Sequence, residues 1–86
     1  MNQTRAKFRV DSVQITEMQV YNKATQEMKA TQVATIILHP VTGASKENEE
    51  FYASTPGGEI KLDIVNLPAA IIFKQGKEVY VDFTPA

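Results

Sequence analysis

The chain holds a single histidine, His39, at the end of Val33–Leu38, its most apolar run, and directly before Pro40. A metal site needs several His, Asp or Glu ligands converging, and a nucleophile needs a base steadied by a third group. The spacing around His39 sets up neither, so it reads as a strand-end residue bonded to backbone or water. Glu47, Glu49 and Glu50 could bind a divalent cation through oxygen. They lack the Asp/Asn alternation and central glycine of a calcium loop, and Lys46 adjoins them, so they read as a solvated loop. Asn48, within that cluster, reads as an amide that caps or braces the loop, which makes it a candidate binding position. In T-P-G-G at Thr55–Gly58, Gly57 and Gly58 offer adjacent backbone amides that could accept an anion. Walker spacing and a following Lys-Ser/Thr are absent, so turn chemistry is the plainer explanation.

Arg5, Lys7 and Arg9 alternate along one strand face with no acid before Asp11. Such a row near Tyr52 and Tyr80 has the ingredients of a single-stranded nucleic-acid groove. Against it stand nine Lys+Arg balanced by ten Asp+Glu, and no tryptophan. A solvated or edge-blocking strand face is the simpler reading. Asp82 reads as a cross-strand partner of Arg9 or Lys7, a surface pair contributing about 0–1 kcal/mol. No second carboxylate is spaced to complete an acid–base pair, and with no cysteine there is no thiolate chemistry. The expectation is a protein without catalytic residues, metal or cofactor.

These residues need a framework. Eighty-six residues suit one domain, 1–86, with one core and little room for a deep pocket. Arg5–Met18 reads as a long, bent strand, because its apolar phase flips after Ser12 and a bulge near Asp11-Ser12 restores it. Gln19–Ala30 reads as a hairpin turning at Asn22 and Lys23, with a helical turn the alternative that its Ala, Gln, Glu, Met and Lys content would tolerate. Val33–Leu38 suits a strand covered on both faces, ended by His39-Pro40. Val41–Asn48 reads as a loop. Phe51–Ser54 and Glu59–Val65 read as hairpin arms around Thr55–Gly58, a type II turn that requires positive φ at Gly57 or Gly58. Asn66–Gly76 is expected to form a short helix, with Asn66 as N-cap and Gly76 closing its end. Glu78–Phe83 supplies the last strand.

The fold expected is mainly β: a small antiparallel curled sheet or barrel, SH3-like or OB-like, with one short helix before the last strand. Its core should gather Phe8, Val10, Ile36, Leu38, Ile60, Leu62, Ile64, Phe73, Val81 and Phe83. Met18, Val20, Tyr21 and Met28 are apolar groups that a short hairpin cannot bury by itself. They point to a homo-oligomer, most simply a two-fold dimer, with any small ligand at the subunit interface.

Three motifs carry a resemblance. R-A-K-F at Arg5–Phe8, E-N-E-E-F-Y-A-S-T-P-G-G-E-I at Glu47–Ile60 and F-K-Q-G-K-E-V-Y-V-D-F-T-P-A at Phe73–Ala86 stand in order. The chain resembles a group of small bacteriophage-encoded proteins that share R-A-K-F, E-N-x-x-F…T-P-x-G-x-I and G-K-x-Y-Y-V-D-F-T-P. Val79 stands where the first tyrosine of the ending is usual, and Glu17–Gln32 is longer than in that group. The resemblance implies a phage or prophage source and brings no catalytic or binding role with it.

The function expected is that of a non-enzymatic phage accessory protein. It would bind a host or phage protein, or a small ligand, in a role such as counter-defence. A virion or assembly component is the structural alternative, and single-stranded nucleic-acid binding is the third. The expected location is the infected host's cytoplasm or the virion. No apolar run approaches the ~20 residues of a membrane-spanning helix, and Met1–Val10 lacks the apolar stretch of a signal peptide.

Overall fold

The computed structural model describes residues 4–65 and 67–86. The elements run β1 (Thr4–Asn22), β2 (Glu27–Pro40), α1 (Lys46–Ser54), β3 (Ile60–Ile64), a 3-10 turn (Leu67–Ala70) and β4 (Glu78–Phe83). The strands form one antiparallel sheet in the order β3-β2-β1-β4. This is the expected small curled sheet, and it does not close into a barrel, because β3 and β4 each pair on one side only.

The expected bend in β1 is present. The register shifts between Val10 and Ser12, leaving Asp11 as the extra residue. Val10 stands opposite Leu38 and Val13 opposite Ile36, so the bulge keeps Val13 and Ile15 on the face that holds Phe8 and Val10. At the far end Asn22 turns the hairpin: its Oδ1 accepts from the Ala24 N–H at 2.9 Å, and its carbonyl from the Gln26 N–H at 2.7 Å. The hairpin itself was legible, but β1 and β2 stay paired for its whole length.

Two segments differ from expectation. Instead of a loop and a strand, Lys46–Ser54 is the helix α1. Ser45 caps it, accepting the Asn48 N–H at 3.0 Å on its hydroxyl, and Glu47 and Glu49 stand in the first turn where the dipole favours acids. Hence T-P-G-G is no hairpin turn but the link from α1 to β3. Thr55 ends the helix as the residue before Pro56, and Gly58 carries the expected positive φ, +143°. The second difference is that the helix expected over Asn66–Gly76 shrinks to the 3-10 turn Leu67–Ala70. The β-branched pair Ile71-Ile72 weakens propagation beyond it. The N-cap role given to Asn66 lies outside the described residues. Gly76 does take a left-handed conformation, φ +86°, but in the turn that leads into β4.

The core joins Ala6, Phe8, Val10, Ala34, Ile36, Leu38 and Ala70, with Ile60, Ile64, Phe73, Val79 and Val81 packed against it. Leu62 and Phe83 do not complete it as expected: they are 37% and 51% exposed. Their phase is right, since Leu62 stands opposite Ile36. They lie on edge strands of an open sheet, and among the described residues no further layer covers them. Beyond the Ala34–Ile64 pair, β1 and β2 continue alone as a two-stranded ribbon. The molecule is consequently long, 50 × 31 × 20 Å, with a radius of gyration of 15.9 Å. A compact chain of this length would have about 12 Å.

Candidate functional site

The two sheet faces have opposite chemistry. On one, alternation along β1 and β4 presents Arg5, Lys7, Arg9, Glu78, Tyr80 and Asp82, and α1 lies across them. Asp82 pairs with Arg5, its register partner, rather than with Arg9 or Lys7 as expected. The pair is bidentate at 2.7 and 3.0 Å. It raises the Arg5 pKa and lowers that of Asp82. The Lys7 ammonium donates to Glu47 of α1 at 2.5 Å and lies 3.5 Å from Glu78. Glu47 also accepts the Tyr80 hydroxyl at 2.9 Å. These bonds hold the Glu47 carboxyl below its usual range and push the Lys7 and Tyr80 values up. Arg5 and Lys7 stand 5.1 and 5.5 Å from the Tyr80 ring centre, as cation–π partners.

Of the expected basic and aromatic group, the fold therefore gathers Arg5, Lys7 and Tyr80 but spends both cations on local acids. Among the described residues Arg9 makes no ion pair. Tyr52 is not part of the cluster; Phe51 packs on Tyr80 instead, ring centres 6.0 Å apart. Asn48 braces the Val41–Ser45 segment as expected, though from within α1. It is buried, and its amide donates to the Gly43 carbonyl at 2.9 Å and to Glu78 at 2.8 Å. Gly57 faces open space, while a Cβ on Gly58 would touch Pro40 and Phe8.

His39 differs from expectation, because carboxylates rather than backbone or water hold both ring nitrogens. Nδ1 meets Asp11, the bulge residue, and Nε2 meets Glu59 at 3.0 Å. Hydrogen bonding to Asp11, then to Glu59, raises the His39 pKa. A cavity of about 440 Å³ opens beside it, lined by Arg9, Asp11, Thr42, Gly43 and Glu78 among others. The two carboxylates grip opposite ends of the ring, an arrangement that ties three segments together. Among the described residues, no three His, Asp or Glu side chains converge as metal ligands.

The other face is apolar and incompletely covered. The 3-10 turn and Phe73 close its centre. Between the edge strands lies a groove of about 410 Å³, lined chiefly by Leu38, Ile60, Leu62, Phe73, Val81 and Phe83. Along the ribbon, Tyr21 and Met28 form a cross-strand pair continuous in phase with this face, whereas Met18 and Val20 point to the opposite one. The alternating residues of β3 and β4 were visible in the chain. Their place at the two open edges, which makes a groove of them, was not.

Comparison with protein-family models, with curated proteins and with solved structures found no match. Among the described residues no helix is long and apolar enough to cross a membrane.

Proposed function

We propose that the protein is a non-enzymatic binding protein, of the phage accessory kind its motifs resemble, acting through its uncovered apolar face. The observation that carries this reading is the groove between β3 and β4. An apolar concavity flanked by unpaired strand edges suits an extended polypeptide segment. Such a segment gains main-chain hydrogen bonds from an edge and seats alternate side chains in the groove. Sequestering a host factor in this way is the counter-defence role, and a small apolar ligand in the groove is the lesser variant. Nucleic acid is a poorer occupant: phosphate binding draws on uncompensated cations, and Asp82, Glu47 and Glu78 already compensate Arg5 and Lys7. The projecting ribbon favours a second reading, an assembly component in the phage particle, because exposed strand ribbons readily join other chains.

Native mass spectrometry of protein purified from infected cells tests the proposal. The wild type is expected to retain mass beyond the 9.6 kDa of one chain. Phe83→Asp should release that mass while circular dichroism shows the fold intact, since Phe83 is half exposed. A wild-type protein carrying nothing would overturn the binding reading. Co-sedimentation with particles and a negligible soluble pool would select the assembly reading instead.

A further inference from the structure

We infer that the occupant of the groove is a second copy of this chain, whose β1–β2 ribbon lies across it in a two-fold, arm-exchanged dimer. This inference rests on the groove being the binding surface. It narrows that reading to one occupant, which takes the place of the host segment or small ligand in the groove.

The first argument is chemical continuity. Strand alternation puts Val13, Ile15, Tyr21 and Met28 on the same sheet face as Leu62 and Phe83. All six are exposed in the single chain; Ile15 is 53% and Met28 58% exposed. Arm tip and groove thus lie on one face, apolar at both ends and interrupted between Ile15 and Tyr21 by Glu17, Gln19 and Gln32. The second argument is reach. Met28 and Leu38 lie on one strand, separated by about 33 Å at ~3.3 Å per residue. The arm therefore points away from its own groove and can meet only another molecule's. Two chains laid face to face and antiparallel bring each arm over the other's groove, and a two-fold axis makes both contacts at once.

The third argument is area. The chain exposes 6380 Å², whereas a compact 9.6 kDa monomer exposes about 5,100 Å². The excess, about 1,300 Å², is spread over both ribbon faces, and it is of the order of the roughly 800 Å² each partner gives to a standard interface. On the face shared with the groove the ribbon carries one charge, Glu17, which stands opposite Gln32, while Lys29 and Glu27 lie on the other face.

Sedimentation and light scattering of the purified chain at micromolar concentration provide the test. The wild type should run at twice the single-chain mass. Met28→Lys on the arm and Phe83→Asp in the groove should each weaken the dimer at least about tenfold. Both side chains are solvent-exposed, so folding should survive, which circular dichroism checks. An equal mixture of the two variants should dimerise better than either alone, because a mixed pair retains one native arm–groove contact. A monomeric wild type, a dimer indifferent to either substitution, or a mixture no better than its components would overturn the inference. If native mass spectrometry finds a different protein, lost on Phe83→Asp but kept on Met28→Lys, the second-copy inference fails and the binding reading stands. If Phe83→Asp leaves every retained mass unchanged, both fail.

Discussion

His39 shows how little one residue type says without its neighbours. A lone histidine at a strand end reads as bonded to backbone or water, whereas here it is the centre of an Asp11–His39–Glu59 bridge. Asp11 reaches the ring because the bulge turns it out of the ladder, and Glu59 because Gly58 bends the chain into β3. A pH dependence follows. The His39 pKa is raised in the folded protein above its ordinary 6.5, first by Asp11 and then by Glu59. Its contribution to stability is therefore complete below that ordinary value and is lost as pH rises through the folded one. Urea midpoints measured from pH 6 to pH 9 should fall across that window in the wild type. In His39→Gln the fall should vanish, and an unchanged profile would show that the bridge carries no stability.

At the scale of elements, edges and centres part company. β2 lies between β1 and β3, so Ile36 is fully buried, whereas Leu62 directly opposite it on β3 is not. Ile36→Ala should cost about 2–5 kcal/mol, the range for deleting a buried aliphatic side chain. Leu62→Ala should cost less than about half of that, because much of its surface already meets water. Chemical denaturation of the two variants measures both, and equal losses would mean that β3 is covered. The helix α1 shows a different lesson. S-K-E-N-E-E carries a cap and an acidic first turn, signals that outweigh the short aromatic run Phe51-Tyr52 read as a strand. The reverse happened at Asn66–Gly76, where proline and a closing glycine resemble helix punctuation but enclose only one 3-10 turn.

The whole molecule is a four-stranded body with a two-stranded extension, and its stability should divide the same way. No residue of the central core cluster lies between residues 15 and 33. Amide hydrogens of the ribbon should exchange far faster than those of Phe8, Val10, Ile36 and Leu38 in the monomeric Met28→Lys variant, since local opening there breaks few buried contacts. In the wild type the ribbon amides should be protected in a concentration-dependent way. Protection that ignores concentration would place the ribbon's stability within its own chain.

The strand phases, the bulge at Asp11, the hairpin at Asn22 and the mainly β character were determined by the sequence alone. Each depends on local periodicity or on one turn residue, and such signals act over a few neighbours. The tertiary structure alone decided which strands became edges, that Arg5 and Lys7 would meet Asp82, Glu47 and Glu78, and that Asp11 and Glu59 would meet at His39. Those outcomes depend on contacts between residues as many as 77 positions apart. Strand order, not strand pattern, left β3 and β4 unpaired on their outer sides and so opened the groove. Alternation marks which face of a strand is apolar. Whether another layer covers that face depends on how the whole chain packs.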